Sequence, residues 1–161
     1  MAYTAVDLSK YLVTKCIQDE NPITNLQLQK ILYHIQKAFL KRGDIAFYDE
    51  IEAWQLGPVV PSVYYFFCSY GGMPITLPYK GYSITSKDED VISPILTEKR
   101  EMEPWDLVED THKIGGAWWT LYDEGRGRGK VIPASMILKE GSAKWPMYLM
   151  LQNIFFQKSE R

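Results

Sequence analysis

The sequence predicts an α+β fold: a mostly helical single domain with a small antiparallel sheet. Its 161 residues match the commonest size of one domain, and no internal repeat or linker divides them. Apolar residues recur at helical spacing from the N-terminal part onwards. A short strand-like segment lies at 47–56, and Gly57-Pro58 ends it. These observations together favour helices packed around a short hairpin-like sheet.

Capping signals open the first two predicted helices. Thr4 with Asp7 three residues later is similar to a capping box and predicts a helix start. Thr24 with Gln27 repeats the signal for a second helix, and Gly43 ends it as the residue beyond the C-cap. The apolar stripe of this second helix consists of Leu28, Ile31, Leu32, Ile35 and Phe39. We therefore expect two amphipathic helices joined by a short turn.

The central part of the chain contains the predicted sheet. Short strands are expected on either side of the acidic pair Asp49-Glu50. Pro61 suits the first turn of a third helix, and Gly71-Gly72 ends it. Periodicity is poor from there to position 94. We expect a strand at Tyr82-Ser83-Ile84 and an exposed, mobile loop at Ser86-Lys87-Asp88-Glu89-Asp90.

Shorter elements are predicted in the second half. A helix begins at Pro104 and continues towards Gly115-Gly116, and 117–122 is another short apolar segment. Val131-Ile132 is predicted as a brief strand that leads into a short helix. The last predicted element is a helix over 145–158, apolar on nearly all sides and therefore either well buried or a docking surface.

Composition excludes several classes of function. The formal net charge is −2 and the basic residues are scattered, which disfavours a nucleic-acid footprint. The chain has neither a signal-peptide pattern nor an apolar run of about 18 residues, so we expect a cytoplasmic protein that does not span a membrane. Cys16 and Cys68 lie in apolar stretches, and we interpret both as buried, reduced thiols. With only two histidines besides, no metal site or other cofactor is expected.

Candidate catalytic residues are few. The sequence contains no nucleophile elbow, P-loop, dinucleotide fingerprint or zinc-helix motif. His112 is the best candidate for acid–base chemistry, although a histidine near a helix C-terminus is commonly structural. The glycine-rich run 125–129 could cradle a phosphate while Arg126 and Arg128 pair with it, but such a run is more often a solvated turn. We therefore predict that the protein is not an enzyme.

Three segments resemble one family. Residues 28–36 resemble its LQKLLYYAQ-type helix, and 51–64 resemble its AW-x-x-GPVVP-x-VY signature. Thr111-His112 followed by Trp118 resembles its TH…W element. The family is the Panacea domain, also known as phage-associated GepA-like proteins, and the resemblance covers 4–140. The motif residues are Leu28, Gln29, Lys30, Leu32, Tyr33, Trp54, Gly57, Pro58, Val59, Pro61, Tyr64, Thr111, His112 and Trp118.

The resemblance implies a non-enzymatic antitoxin of a toxin–antitoxin system, which neutralises a partner toxin by direct protein–protein binding. Because some members of the family are thought to hand a toxin to a protease, a proteolytic adaptor is the alternative. A nucleotide- or RNA-acting enzyme, based on His112 and the two loop arginines, is the weaker alternative. The motif residues also have structural explanations, so the toxin-facing surface is expected to lie largely outside the motif.

The predicted partner surface is aromatic and aliphatic. The chain has 5 Trp and 11 Tyr, so some of these side chains must lie near the surface, where they are favoured as interface anchors. The candidate toxin contacts are Tyr64, Tyr65, Trp118, Trp119, Phe155 and Phe156.

Overall fold

Seven helices and one two-stranded antiparallel sheet form residues 2–140, the part of the chain that the structure, a computed structural model, describes. In order they are α1 (Ala5–Gln18), α2 (Asn25–Lys41), β1 (Glu52–Trp54), β2 (Gly57–Val59), α3 (Pro61–Phe66), α4 (Ser86–Arg100), α5 (Pro104–Thr111), α6 (Ala117–Tyr122) and α7 (Ala134–Lys139). Single 3-10 turns lie at Cys68–Tyr70 and Asp123–Gly125. This architecture confirms the predicted α+β class. The helix predicted at 145–158 lies outside the described residues.

Both predicted capping signals are present at the first two helix starts. The Thr4 hydroxyl accepts a hydrogen bond from the Asp7 backbone N–H at 3.1 Å. A complete capping box joins Thr24 and Gln27, since each side chain accepts from the other residue's backbone N–H, at 3.2 and 3.0 Å. Gly43 follows α2 with a φ of +77°, which is the predicted closure of that helix.

Helix α2 is the centre of the core. It packs against α1, α3, α4, α5, α7 and β2. Because so many of its sides are covered, the helix buries polar residues as well as the apolar stripe. Gln29 is 1% exposed and Lys30 is fully buried. Buried polar groups of this kind need hydrogen-bond partners, and those partners lie on the hairpin.

The sheet is a tight hairpin with an extra segment beside it. Residues of β1 and β2 pair in antiparallel register, with Trp54 opposite Gly57, so that Gln55 and Leu56 form the turn. On the other edge of β1, Ala53 donates its N–H to the Lys130 carbonyl at 2.9 Å. The brief strand predicted at Val131-Ile132 is present there as a single antiparallel bridge to Glu52.

The predicted loop at 86–90 is wrong, because these residues form the first turns of α4. Thr85 caps the helix and accepts from the Asp88 N–H at 3.2 Å. The Asp88 carboxylate is 6% exposed and accepts a hydrogen bond from the Tyr3 hydroxyl. Tyr82-Ser83-Ile84 contains no strand. The run of acidic residues suggested solvent exposure, whereas Asp88 is buried and bonded to Tyr3, which is distant in the sequence.

The expectation for the two cysteines is half correct. Cys16 is fully buried on α1, whereas Cys68 is exposed. Cys68 lies in a single 3-10 turn whose residues all remain partly or fully accessible, so the apolar residues around it in sequence do not cover it. Within residues 2–140, no helix has the length and apolar character that crossing a bilayer would require.

The buried position of Asp88 is tested by replacing it with Asn. We expect Asp88→Asn to lower the free energy of unfolding by about 1–3 kcal/mol, because a charged acceptor for Tyr3 and for the helix cap is lost. Asp90→Asn, at an exposed position in the same turn, should change it by less than about 0.5 kcal/mol. Urea denaturation measures both. Equal effects would restore the exposed-loop interpretation.

Candidate functional site: a pocket and an aromatic edge at the hairpin

The three segments that carried the sequence resemblance meet at the β1–β2 hairpin. Residues 28–36 belong to α2, and 51–64 form the hairpin and the start of α3. Thr111 ends α5, and Trp118 lies on α6. These segments are distant in sequence, and the contacts between them are made by the motif residues themselves.

Two polar side chains of α2 hold the second strand. The Gln29 side-chain oxygen accepts a hydrogen bond from the Val60 N–H at 2.8 Å. The Lys30 ammonium donates to the Pro58 carbonyl at 3.0 Å. The edge of β2 that faces α2 is therefore paired with side chains instead of another strand, and its position relative to the core is fixed.

Lys30 is an unusual residue because its charge is buried without a counter-ion. Among the described residues it forms no ion pair with a carboxylate, and burial lowers its pKa to about 7. Burying an ammonium in this way is costly unless the group is hydrogen-bonded, which the Pro58 carbonyl achieves. The interaction therefore depends on the hairpin being in place.

Gly57 permits the close contact between the hairpin and two other motif residues. Its φ is +111°, which L side chains rarely adopt. A Cβ atom at this position would lie 2.8 Å from the Thr111 hydroxyl oxygen and 3.0 Å from the Lys30 ammonium nitrogen. Thr111 in turn donates to the Val108 carbonyl at 2.9 Å. The absence of a side chain at Gly57 allows α2, α5 and the hairpin turn to converge.

Trp118 and His112 pack against the hairpin from the other side. The Trp118 indole donates to the Trp54 carbonyl at 2.7 Å. Its ring stacks on His112 with centroids 3.6 Å apart and an interplanar angle of 7°. Burial and the nearby Lys30 lower the pKa of His112, although a hydrogen bond to the Leu56 backbone opposes them. His112 is thus a stacked ring that supports the turn.

The acid nearest to His112 on α5 is used elsewhere. Asp110 lies 2.9 Å from Lys99 and 2.6 Å from Lys113, and its Oδ2 is 2.9 Å from His34 Nε2. Burial opposes ionisation, but the hydrogen bonds from these two lysines hold the pKa of Asp110 below its usual range. Asp110 therefore links α2, α4 and α5 and does not form an acid–base pair with His112.

A pocket of about 580 Å³ opens beside the hairpin, and we call it the hairpin pocket. Its lining comprises Asn25, Leu26, Gln29, Lys30, Glu52, Trp54, Gln55, Leu56, Val59, Tyr64, Gly71, Arg128 and Gly129. Sequence reasoning did not indicate Asn25 as a member of a site, and it favoured a charged surface role for Glu52 over a pair of functional carboxylates. It singled out Arg128 together with Arg126, but Arg126 forms a two-pronged pair with Asp123, at 2.7 and 2.8 Å.

Three neighbouring aromatic side chains lie at the hairpin pocket, and we call them the aromatic edge: Trp54, Tyr64 and Tyr65. Trp54 and Tyr64 line the pocket, and the Tyr65 ring packs beside both of them. The Trp54 and Tyr64 ring centroids are 4.9 Å apart, and those of Tyr64 and Tyr65 are 5.4 Å apart. Tyr64 is 36% exposed and Tyr65 is 63% exposed. The structure thus brings together two of the predicted toxin contacts.

The other predicted contacts are placed differently. Trp118 is 7% exposed and makes the interior contacts described above, so it offers little area to a partner. Trp119 is half-buried and packs against the core. Phe155 and Phe156 lie outside the described residues. No group of three or more His, Cys, Asp or Glu side chains that could hold a metal ion occurs in 2–140.

Comparison with known proteins identifies the family. The family model described as "Antitoxin SocA-like, Panacea domain" matches residues 28–119, more than half of the chain. The chain belongs to this Panacea family. The matched range begins at the first motif residue of α2 and ends one residue after Trp118, so it includes all three segments that meet at the hairpin.

A curated relative supports the same assignment. This Panacea chain is 32% identical over 124 residues to a protein named Antitoxin SocA from Caulobacter vibrioides (strain NA1000 / CB15N). The match covers 69% of this chain and 66% of that protein, so the chain spans slightly less than two thirds of the relative's length. No solved structure matches the chain. The model match and the relative therefore both assign the protein to the SocA-like antitoxin family.

The buried ammonium of Lys30 predicts a pH dependence of stability. Its folded pKa of about 7 lies below its ordinary value of 10.5, so the unfolded chain binds more protons between these two pH values. Stability from this group therefore rises as the pH increases from about 7 towards 10. Relative to Lys30→Met, the wild type should gain about 2–4 kcal/mol over that range.

Chemical denaturation at several pH values measures this difference. Lys41→Met serves as the control, because Lys41 is exposed near the end of the same helix and its replacement leaves the hairpin contact intact. The control should keep the wild-type pH dependence. If the wild type and Lys30→Met gave parallel curves, the ammonium would not be buried as described.

A second prediction concerns the convergence at Gly57. Gly57→Ala should lower the free energy of unfolding by about 1–3 kcal/mol more than Gly43→Ala. Both positions have positive φ, but a Cβ at Gly43 meets no atom within 4 Å. The difference between the two variants therefore isolates the collision with Thr111 and Lys30 from backbone strain. If thermal or urea unfolding showed equal losses of the free energy of unfolding for the two variants, a Cβ at Gly57 would be accommodated without a collision.

Proposed function

We propose that this Panacea protein is an antitoxin that neutralises a protein toxin by binding it directly, and that the toxin contacts the aromatic edge beside the hairpin pocket. The observation that carries the proposal is the exposure of Tyr64, which lines a concave site, and of Tyr65, whose ring packs beside it. Tyrosine and tryptophan are enriched among the residues that dominate binding energy.

The aromatic edge is held in place by polar contacts on both sides. The Trp54 indole donates to the Glu52 carboxylate at 2.7 Å. The Asn25 side-chain amide donates to the Tyr64 carbonyl at 3.1 Å. Because the Trp54 ring and the backbone of Tyr64 are fixed before a partner arrives, binding loses less conformational entropy than it would with a mobile edge. This preorganisation favours tight, direct binding as the means of neutralisation.

Neighbouring residues extend the surface along α3. Phe66 is 44% exposed and lies next to Tyr65 in sequence, and Leu56 at the hairpin turn is 41% exposed. A standard interface buries about 800 Å² on each partner, so the toxin must cover more than the three rings. The proposal includes Trp54 and Tyr64, which belong to the family motif, and so it places the contact closer to the motif than the sequence suggested.

The test compares two equally exposed aromatic residues on different faces. Tyr65→Ala should weaken toxin binding by at least about tenfold and reduce growth rescue, because it removes an interface anchor. Trp105→Ala, at a residue that is 64% exposed on α5, should leave both unchanged. The toxin is sought by co-expression with the product of the neighbouring gene. Calorimetric titration with the purified toxin then measures the affinity, and thermal unfolding confirms that both variants are folded.

Two outcomes would count against the proposal. Equal losses for the two variants, or a loss for Trp105→Ala alone, would move the toxin contact away from the aromatic edge. Rescue that disappears in a protease-deficient host, while the toxin stays active in the purified complex, would favour a proteolytic adaptor over neutralisation by binding.

A further inference from the structure

The charges in the hairpin pocket are unbalanced. Its lining includes two cationic residues, Lys30 and Arg128, and one carboxylate, Glu52. The Glu52 carboxylate already accepts a hydrogen bond from the Trp54 indole. Arg128 forms no ion pair with any residue in 2–140, in contrast to Arg126, which pairs with Asp123. The pocket lining therefore contains one accessible cation without a counter-ion, Arg128, and one buried cation, Lys30.

The backbone around Arg128 is fixed on both sides. The Gly127 N–H donates to the Tyr122 carbonyl at 3.0 Å, and a Cβ at Gly127 would lie 1.7 Å from the Leu121 carbonyl oxygen. On the other side, the Gly129 N–H donates to the Ala53 carbonyl at 2.7 Å. Arg128 is thus held between α6 and β1, at the wall of the pocket.

Lys30 also contributes to the electrostatic field in the hairpin pocket. Its side chain is fully buried and its ammonium is bonded to the Pro58 carbonyl, although the residue is part of the pocket lining. A charge surrounded by protein is screened less than one in water, and its field therefore extends towards the pocket. An anion near Arg128 would interact favourably with both groups.

We propose that the hairpin pocket receives an acidic side chain, Asp or Glu, which the toxin presents. The carboxylate pairs with Arg128, whose planar guanidinium matches a carboxylate in a two-pronged arrangement. Trp54, Leu56 and Tyr64 surround the apolar part of the residue. The pocket volume lies within the range of natural ligand sites. This inference relies on the proposed function only for the toxin as the source of the carboxylate.

A carboxylate fits this lining better than a phosphate. The doubly charged phosphate usually requires several cations or a set of free backbone N–H groups. Here a single accessible arginine faces a pocket that also contains Glu52, whose negative charge disfavours a dianion. The Gly127 and Gly129 N–H groups, which could have served a phosphate, are already bonded to carbonyls.

The experiment uses small probes and does not require the toxin. The full-length ¹⁵N-labelled protein is titrated with N-acetylglutamic acid α-amide, and the Trp54 indole N–H resonance reports on the pocket. We expect a saturable shift at millimolar concentrations. The neutral isostere N-acetylglutamine α-amide should bind at least about tenfold more weakly, because it forms no charged pair with Arg128. Inorganic phosphate is titrated separately.

Two variants in the same loop complete the design. Arg128→Gln should weaken binding of the acidic probe by at least about tenfold, whereas Arg126→Gln should leave it unchanged. The proposal is overturned if the shift does not saturate, if the neutral probe binds equally well, or if the two variants behave alike. Saturation by phosphate without saturation by the acid overturns it as well.

The outcome is independent of the toxin experiments. A toxin that fails to bind the aromatic edge leaves the probe titration unchanged, and a failed titration leaves the comparison of Tyr65→Ala with Trp105→Ala unchanged. Failure of the acidic pocket can therefore be distinguished from failure of the antitoxin proposal.

Discussion

The hydrogen bond from the Lys30 ammonium to the Pro58 carbonyl is the contact on which the site depends. This bond joins α2, at the centre of the core, to β2, which pairs with β1 alone in the sheet. Because the ammonium has no counter-ion among the described residues, the fold is stable only when that carbonyl is in place. The position of the strand in turn determines where the turn, the aromatic edge and one wall of the hairpin pocket lie. A family motif of structural residues thus also positions the surface that we propose to bind the toxin.

Local signals in the sequence predicted the starts of α1 and α2, whereas the strands expected on either side of Asp49-Glu50 lie instead at Glu52–Trp54 and Gly57–Val59. The N-cap at Thr4 and the capping box at Thr24 involve residues three apart, and Gly43 ends its helix through its own backbone conformation, so each can be recognised in a few letters. The start of α4 carried the same kind of signal in Thr85 and Asp88. It was misinterpreted because the acidic run suggested solvent, whereas the tyrosine that buries Asp88 is 85 residues away. Partners at that distance leave no local pattern.

The candidate site was predictable only in part. The excess of Trp and Tyr predicted Tyr64 and Tyr65 as toxin contacts; both side chains are exposed, and their role as contacts stays a prediction. The same excess of aromatic residues predicted Trp118 as a toxin contact, but its indole donates to the Trp54 carbonyl and the side chain is buried. The pocket was not predictable, since it requires α2, the hairpin and the loop at 125–129 to converge. That convergence depends on pairing of Ala53 with Gly129 and Lys130, which no sequence spacing indicates.

Amide hydrogen exchange of the protein, alone and in complex with its toxin, tests the central claim most directly. If the hairpin surface binds the toxin, backbone amides in 52–59 and 63–66 should exchange more slowly in the complex, and those of α4, which packs against α2, should be unchanged. Slower exchange confined to α4, with the hairpin unaffected, would contradict the account.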